Sequence, residues 1–285
     1  MSIVAEKLTH IYLEGSPNES VAIDSIDLKI EAGEFWGIIG HTGSGKSTLV
    51  QHLNALMQPT SGRICVDGDD LKDKKNRREA RKKVGLVFQY PEYQLFEETV
   101  LKDIAYGPMN MGESTEKAYE IAREAMVSVG LSPDEIEGRS PFELSGGQKR
   151  RVAIAGIIAI RPRYLVLDEP MAGLDPRGRK DILNLLKTLR EKTGCAVIMI
   201  SHSMDDIAQF ADHVAVLNEG KLYKAGSVAE VFSDMEALRR TGLDIPQAAI
   251  LAERLKKQGI EIDRSIYTVE QMLDFITEKT GGVSG

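Results

Sequence analysis

Cysteine is nearly absent: only Cys65 and Cys195 occur in 285 residues, far apart. That excludes a disulfide framework and a cysteine-built zinc site, and fits a reducing, cytosolic setting. A basic excess is also missing, since 36 Lys and Arg face 43 Asp and Glu for a net charge of −7. This argues against a general nucleic-acid binder, although a local basic patch is compatible with it. Long apolar runs are lacking too. The longest unbroken apolar or glycine stretch, residues 152–160, falls well short of the roughly 18 residues a membrane span requires. The N-terminus has no basic region followed by an apolar one, so no signal peptide is expected. Any work at a membrane is then done from its side, through partners. No internal repeat, low-complexity block or Asn-Lys-x-Asp guanine-reading motif is found. What is present, 42% hydrophobic and 28% charged residues, is ordinary for a soluble globular chain. Its length can bury a large core, as one domain or as one with an appendage.

The chain is organised around Gly40-His41-Thr42-Gly43-Ser44-Gly45-Lys46-Ser47-Thr48. An apolar run, Phe35-Trp36-Gly37-Ile38-Ile39, precedes it and reads as a buried strand; residues 49–56 follow and read as a helix. Glycines let the backbone curl so that successive N–H groups face phosphate oxygens, and a helix N-terminus adds its positive dipole end. At this spacing Lys46 can reach the β- and γ-phosphates and the Ser47 hydroxyl can ligate Mg²⁺. The chain is expected to bind a nucleoside triphosphate.

Around this loop the pattern alternates strands and helices. Residues 2–12 and 21–30 read as strands joined by a polar turn, 64–66 as a short strand turning at Asp67-Gly68, and 84–88 as a buried strand ending at Gln89. Residues 72–83 form a run of eight Lys and Arg, read as a solvated loop and helix face, with an anionic lipid surface as the alternative. Helical texture takes over from Pro91 to Ile160, at about 99–111, 114–130 and 145–161. Buried strands at 164–167 and 196–200 flank a helix at 176–193, and 213–225 reads as a hairpin. Beyond Phe232 the chain is helical again. A helix bounded by Pro246 and Gly259 leads to a last one at about 268–279, with Val269, Met272, Leu273 and Ile276 on one face, and to a loose tail at 281–285. Residues 236–285 read as an add-on, packing on the core or on a second subunit.

Two further stretches carry chemistry. Asp168-Glu169 closes the strand at 164–167, where open α/β sheets place their sites. Asp168 can hold Mg²⁺ while Glu169 polarises the attacking water. Leu144-Ser145-Gly146-Gly147-Gln148 places an S-x-x-Q capping pattern at the start of a helix, with two glycines in its first turn. A second phosphate-seeking helix N-terminus in one small domain suggests that two chains meet, each ATP lying between one chain's glycine loop and the other's serine-glycine turn.

These motifs, together with Ser201-His202, stand in the order of the ABC-transporter ATPase family, which the chain resembles over residues 1–235. The resemblance implies an α/β fold: a P-loop NTPase, RecA-like core with an antiparallel β subdomain and a helical insert at about 90–162. It implies that Gln89 sits at the hinge to the insert, senses Mg²⁺ and water and couples to a membrane partner. It further implies that Asp175 bridges two subunits, that His202 contacts the γ-phosphate, and that Tyr12 is the aromatic that stacks on adenine. Met171 departs from the family, which often has Thr or Ser there.

The branch most resembled is the energy-coupling-factor one, through the 39–48 loop, Val87-Phe88-Gln89-Tyr90-Pro91-Glu92-Tyr93-Gln94-Leu95-Phe96, Glu98-Thr99-Val100, Phe142-Glu143-Leu144-Ser145-Gly146-Gly147-Gln148 and the helices at 246–278. That resemblance implies an ATPase using ATP and Mg²⁺ on the cytoplasmic face of the cell membrane, powering micronutrient uptake. Implied partners are a paralogous ATPase or a second copy, a transmembrane scaffold and a substrate-binding membrane component, with no nucleic acid. A conventional ABC transporter and a soluble ABC ATPase acting on ribosomes or DNA are the alternatives. The soluble reading is disfavoured by the single cassette, the compact insert and the acidic charge.

Overall fold

The computed structural model describes residues 1–280; the tail expected at 281–285 lies outside them. In chain order the elements begin with β1 (Ser2–Tyr12), β2 (Ser20–Glu31), β3 (Phe35–Ile39), α1 (Lys46–Leu53), β4 (Ser61–Val66), β5 (Asp69–Asp70), α2 (Lys74–Lys83) and β6 (Val84–Val87). Next come α3 (Val100–Asn110), α4 (Thr115–Ser128), α5 (Pro133–Ile136), α6 (Gly146–Ala159), β7 (Tyr164–Asp168), α7 (Pro176–Thr193) and β8 (Ala196–Ile200). The remainder is α8 (Met204–Phe210), β9 (His213–Asn218), β10 (Lys221–Ser227), α9 (Val228–Phe232), α10 (Met235–Arg240), α11 (Gln247–Lys257) and α12 (Val269–Thr280).

Two sheets result. One has the order β2-β1-β4-β5, antiparallel throughout; the other has the order β10-β9-β3-β8-β7-β6. In the second sheet β9, β3, β8, β7 and β6 run parallel, and β10 closes the edge antiparallel to β9. Every residue of β3, β7 and β8 is buried, the mark of parallel strands covered on both faces. Side chains alternate between the faces. Phe35 and Ile39 join the core shared with α3, α4, α6 and α7, whereas Trp36 and Ile38 join the core shared with α1 and the antiparallel sheet. Four loops therefore leave the same edge of one sheet, after β3, β6, β7 and β8, and these carry Lys46, Gln89, Glu169 and His202.

Several boundaries move for physical reasons. The helix expected at 49–56 begins at Lys46 and stops at Leu53, because Asn54 caps it and Ala55 turns left-handed at φ 58°. The basic run folds as α2, capped by Asp73, whose side chain accepts from Lys75 N, with Arg81, Lys82 and Lys83 complementing its C-terminus. Part of its charge is satisfied locally: Lys82 pairs with Glu79, Lys83 with Asp67 and Asp69, and Arg81 donates to the Ala55 carbonyl. Helices α8 and α9 were not anticipated; both are short and capped by serines, Ser203 and Ser227.

Helices α11 and α12 build their own small core from Ala248, Ala252, Ile262, Ile266, Met272 and Phe275. The face expected on the last helix is split: Met272 is buried, while Val269, Leu273 and Ile276 are exposed. An Arg264–Glu278 pair at 2.6 Å ties the segment between the two helices to α12.

Candidate functional site

Residues 40–48 form a curled loop because left-handed glycines permit it. Gly45, at φ 98°, caps α1, and its missing side chain leaves room for the Ala22 carbonyl. At Gly40 a Cβ would collide with Ser44 Oγ and the Leu217 carbonyl. Lys46 is 6% exposed, and its Nζ donates to the carbonyls of Gly40 and His41, both at 2.8 Å. Burial pulls its pKa below the ordinary lysine value, against the opposing charges of Glu169 and Asp168. Ser44 is fully buried, and its Oγ lacks a hydrogen-bond partner among the described residues. Thr42, Gly43 and Ser47 are exposed, and His41 is half-buried. Thr48 Oγ1 lies 3.1 Å from the hydroxyl of Tyr12, which ends β1 at the rim.

Asp168, at the end of β7, is buried beside the loop, and the Ser47 hydroxyl donates to it. Burial raises its pKa above the usual carboxylate value, against the lowering effects of Ser47 and Lys46. Glu169 follows at φ 48°, a left-handed conformation uncommon for a side chain of this size. One of its oxygens lies 2.7 Å from His202 Nε2, and the other accepts from Gln89 Nε2 at 3.1 Å. An acid, an imidazole and an amide from three strand ends thus meet within hydrogen-bond reach, close enough to the loop for Glu169 to act on the charge of Lys46. Ser47, Asp168 and Gln89 offer only oxygen donors once Gln89 turns its amide, the set that suits Mg²⁺ beside a polyphosphate.

The Leu144–Gln148 turn forms as read. Ser145 Oγ accepts from Gln148 N at 3.3 Å and Gln148 Oε1 accepts from Ser145 N at 3.1 Å, so both halves of the capping box are present. Leu144 is buried, while Ser145, Gly146 and Gly147 face solvent. Asp175 caps α7, its Oδ1 accepting from Gly178 N at 2.7 Å. Met171 is buried in the helical core, which accounts for an apolar side chain at that position.

One member went unrecognised in the sequence. Arg150, on α6, is 4% exposed; it forks onto Glu92 at 2.9 and 3.1 Å and donates to the carbonyls of Pro170 and Ala172. It ties the helix behind Ser145 to the segments that follow Gln89 and Glu169. An arginine among the buried positions Val152, Ala153 and Ile154 signals a required partner. Nothing in the sequence spacing names Glu92 as that partner.

The family model described as ABC transporter matches residues 23–172. The ATP-binding protein EcfA2 of the energy-coupling factor transporter of Clostridium perfringens is 52% identical over 98% of both chains. Its namesake in Symbiobacterium thermophilum is 48% identical over 100% of this chain and 99% of the relative. The chain belongs to the ABC transporter ATPases, in the energy-coupling-factor branch. Solved structures agree. The protein cbiO1 of Clostridium perfringens, part of the ABC transporter complex cbiONQ, superposes with a TM-score of 0.74 at 34% identity over 88% of this chain and 98% of that one. A dimeric ATP-binding cassette in a post-hydrolysis state with ADP and Pi gives 0.71 at 28% identity, over 79% and 98%. This ATPase thus shares the mixed α/β cassette expected from its motifs, and it binds and hydrolyses ATP as a subunit of a membrane transporter complex. Among the described residues no helix is long and apolar enough to cross a membrane.

Proposed function

We propose that the Glu169–His202–Gln89 cluster is the hydrolytic centre of this ATPase and that its turnover drives uptake of a micronutrient, a vitamin or a transition-metal ion, through a transmembrane scaffold. The observation that carries the reading is the doubly held Glu169 carboxylate at the strand edge beside Lys46. Residues Gly40, His41, Thr42, Gly43, Ser44, Gly45, Lys46, Ser47 and Thr48 cradle the phosphates through backbone N–H groups and the lysine charge. The Tyr12 ring, 40% exposed at the rim, carries the adenine. Glu169 orients and deprotonates the attacking water. His202 holds the carboxylate on one side and reaches the γ-phosphate, and Gln89 releases Glu169 when it turns toward the nucleotide. Ser47, Asp168 and Gln89 would hold Mg²⁺, whose bound charge offsets that of the phosphates.

Two cassettes act as a pair, this chain with a paralogue or a second copy. Leu144, Ser145, Gly146, Gly147 and Gln148 then face the partner's ATP and Asp175 lies across the junction. The exposed turn supports this, because Gly146 and Gly147 face solvent at the positive end of a helix. Residues 1–235 form the cassette, with the insert at about 90–162, and 236–285 the subunit-contact extension, whose separate core and exposed Val269 and Leu273 support the division. Just past Gln89, Tyr90, Tyr93, Phe96 and Tyr106 expose a cluster of aromatic rings, with Tyr93 at 84%. Aromatic clusters of this kind mark interfaces, and this one supports peripheral docking to a membrane protein.

The test tags the chain in its own cells, extracts membranes in mild detergent and identifies what co-purifies. A second ATPase, a transmembrane scaffold and a small membrane protein support the proposal, and the small protein points to the cargo. A pair of conventional permease chains would keep the importer and remove the single scaffold; recovery only in the soluble fraction, with ribosomes or alone, would sink the uptake reading.

A further inference from the structure

A column of three rings stands between the rim and α1. Tyr12 and His10 lie on β1, two residues apart; their ring centroids are 4.5 Å apart and the planes meet at 77°. His10 in turn meets His52 at 4.7 Å and 69°. His52 belongs to α1, is 1% exposed, and its Nδ1 lies 2.8 Å from the Thr48 carbonyl, to which it donates. That fixes the tautomer and leaves Nε2 buried without a hydrogen-bond partner among the described residues. His10 Nδ1 donates to the Gln58 carbonyl at 3.3 Å, in the loop that leaves α1. Thr48 is the hinge of the arrangement: its Oγ1 meets the Tyr12 hydroxyl and its carbonyl holds His52.

A buried imidazole with an idle nitrogen is costly, and such a residue is retained for its shape or its neighbours. Here the neighbours are the base platform and the phosphate loop. An edge-to-face pair fixes a ring's height and tilt better than an aliphatic contact does, and two pairs in series pass that constraint from α1 to the rim. The phosphates are gripped at the N-terminus of α1 and the base would rest on Tyr12, so the column sets the distance between the two grips.

We propose that His10 and His52 are positioning residues for the nucleotide base, holding the Tyr12 ring at the height where adenine stacks while the phosphates occupy the loop. This rests on the reading of Tyr12 as the adenine carrier. His10 and His52 make no contact with the nucleotide; they act through Tyr12.

The experiment measures Kd for ATP and for inorganic tripolyphosphate, by calorimetry on the purified full-length chain, for wild type, Tyr12→Ala, His10→Ala, His10→Phe and His52→Gln. Base stacking is worth enough that misplacing the platform weakens ATP about five- to ten-fold. Tripolyphosphate has no base, and its affinity stays within two-fold. His10→Phe keeps an edge-on ring and recovers most of the ATP affinity lost in His10→Ala. Equal weakening of both ligands would mean damage to the loop itself and would overturn the proposal. If His52→Gln fails to fold, the His10 pair decides alone. Should Tyr12→Ala leave ATP affinity unchanged, the adenine reading is lost. If Tyr12→Ala weakens ATP but both histidine variants match wild type, the adenine reading stands and the positioning role falls.

Discussion

Glu169 and His202 share a 2.7 Å contact across the ends of two neighbouring parallel strands, β7 and β8. The strand pairing itself sets this distance, because Asp168 and Ile200 are register partners and the two side chains leave the sheet one and two residues later. Glu169→Gln is expected to lower the steady-state ATPase rate by about 10²–10⁴-fold, the usual worth of a positioned general base. ATP binding survives, so a nucleotide-held pair of cassettes accumulates on gel filtration. A wild-type rate would remove Glu169 from the chemistry.

The buried Arg150–Glu92 pair gives a second expectation. Removing one partner of a buried pair typically costs about 3–5 kcal/mol, because the other charge is stranded. Arg150→Met should therefore lower the midpoint of thermal unfolding by roughly 6 °C or more. The Arg150→Met/Glu92→Leu double variant should lose less than the sum of the singles. Additive losses would show that the two side chains do not work as a unit.

Asp168 makes stability depend on pH in a defined direction. Burial holds its folded pKa above the unfolded value. A raised carboxylate disfavours the folded state above the folded pKa, and the penalty fades as pH falls through that value toward the unfolded one. Asp168→Asn is accordingly expected to raise the midpoint of the nucleotide-free protein by roughly 1–3 °C at neutral pH. The gain should vanish below about pH 4, where the unfolded carboxyl is itself protonated. Scanning calorimetry between pH 4 and 8 checks this, and a gain constant across that range contradicts it.

The exposed rings past Gln89 supply the fourth. Tyr93→Ser and Phe96→Ser alter solvent-facing positions, so each should change folding stability by no more than about 0.5 kcal/mol. Recovery in the membrane fraction should nevertheless drop several-fold. Unchanged recovery moves the docking surface elsewhere.

Much of this was legible in the residues because each motif couples a composition to a local geometry. The phosphate loop announces itself through glycine spacing after an apolar strand, and the Ser145 capping box through S-x-x-Q; both formed as read. What was hidden depends on pairings across long sequence separations. Arg150 and Glu92 are 58 residues apart, and only the packing of α6 on the Pro91–Gln94 turn brings them together. His10 and His52 belong to no sequence motif, and their contact exists because the loop after α1 folds back on β1. The end of α1 was missed for the opposite reason: Ala55 and Leu56 continue an apolar pattern, but the backbone reverses at Ala55, which takes a left-handed φ, and leaves Leu56 48% exposed.

The bonds from Lys46 to the carbonyls of Gly40 and His41 have a kinetic consequence. They brace the loop in its curled form by means of the residue proposed to hold the phosphates. Under the role proposed for Lys46, an arriving nucleotide exchanges two lysine–carbonyl bonds for lysine–phosphate ones. On that proposal association is governed by encounter and steering, and selectivity between ATP and its spent product resides in how long each one stays.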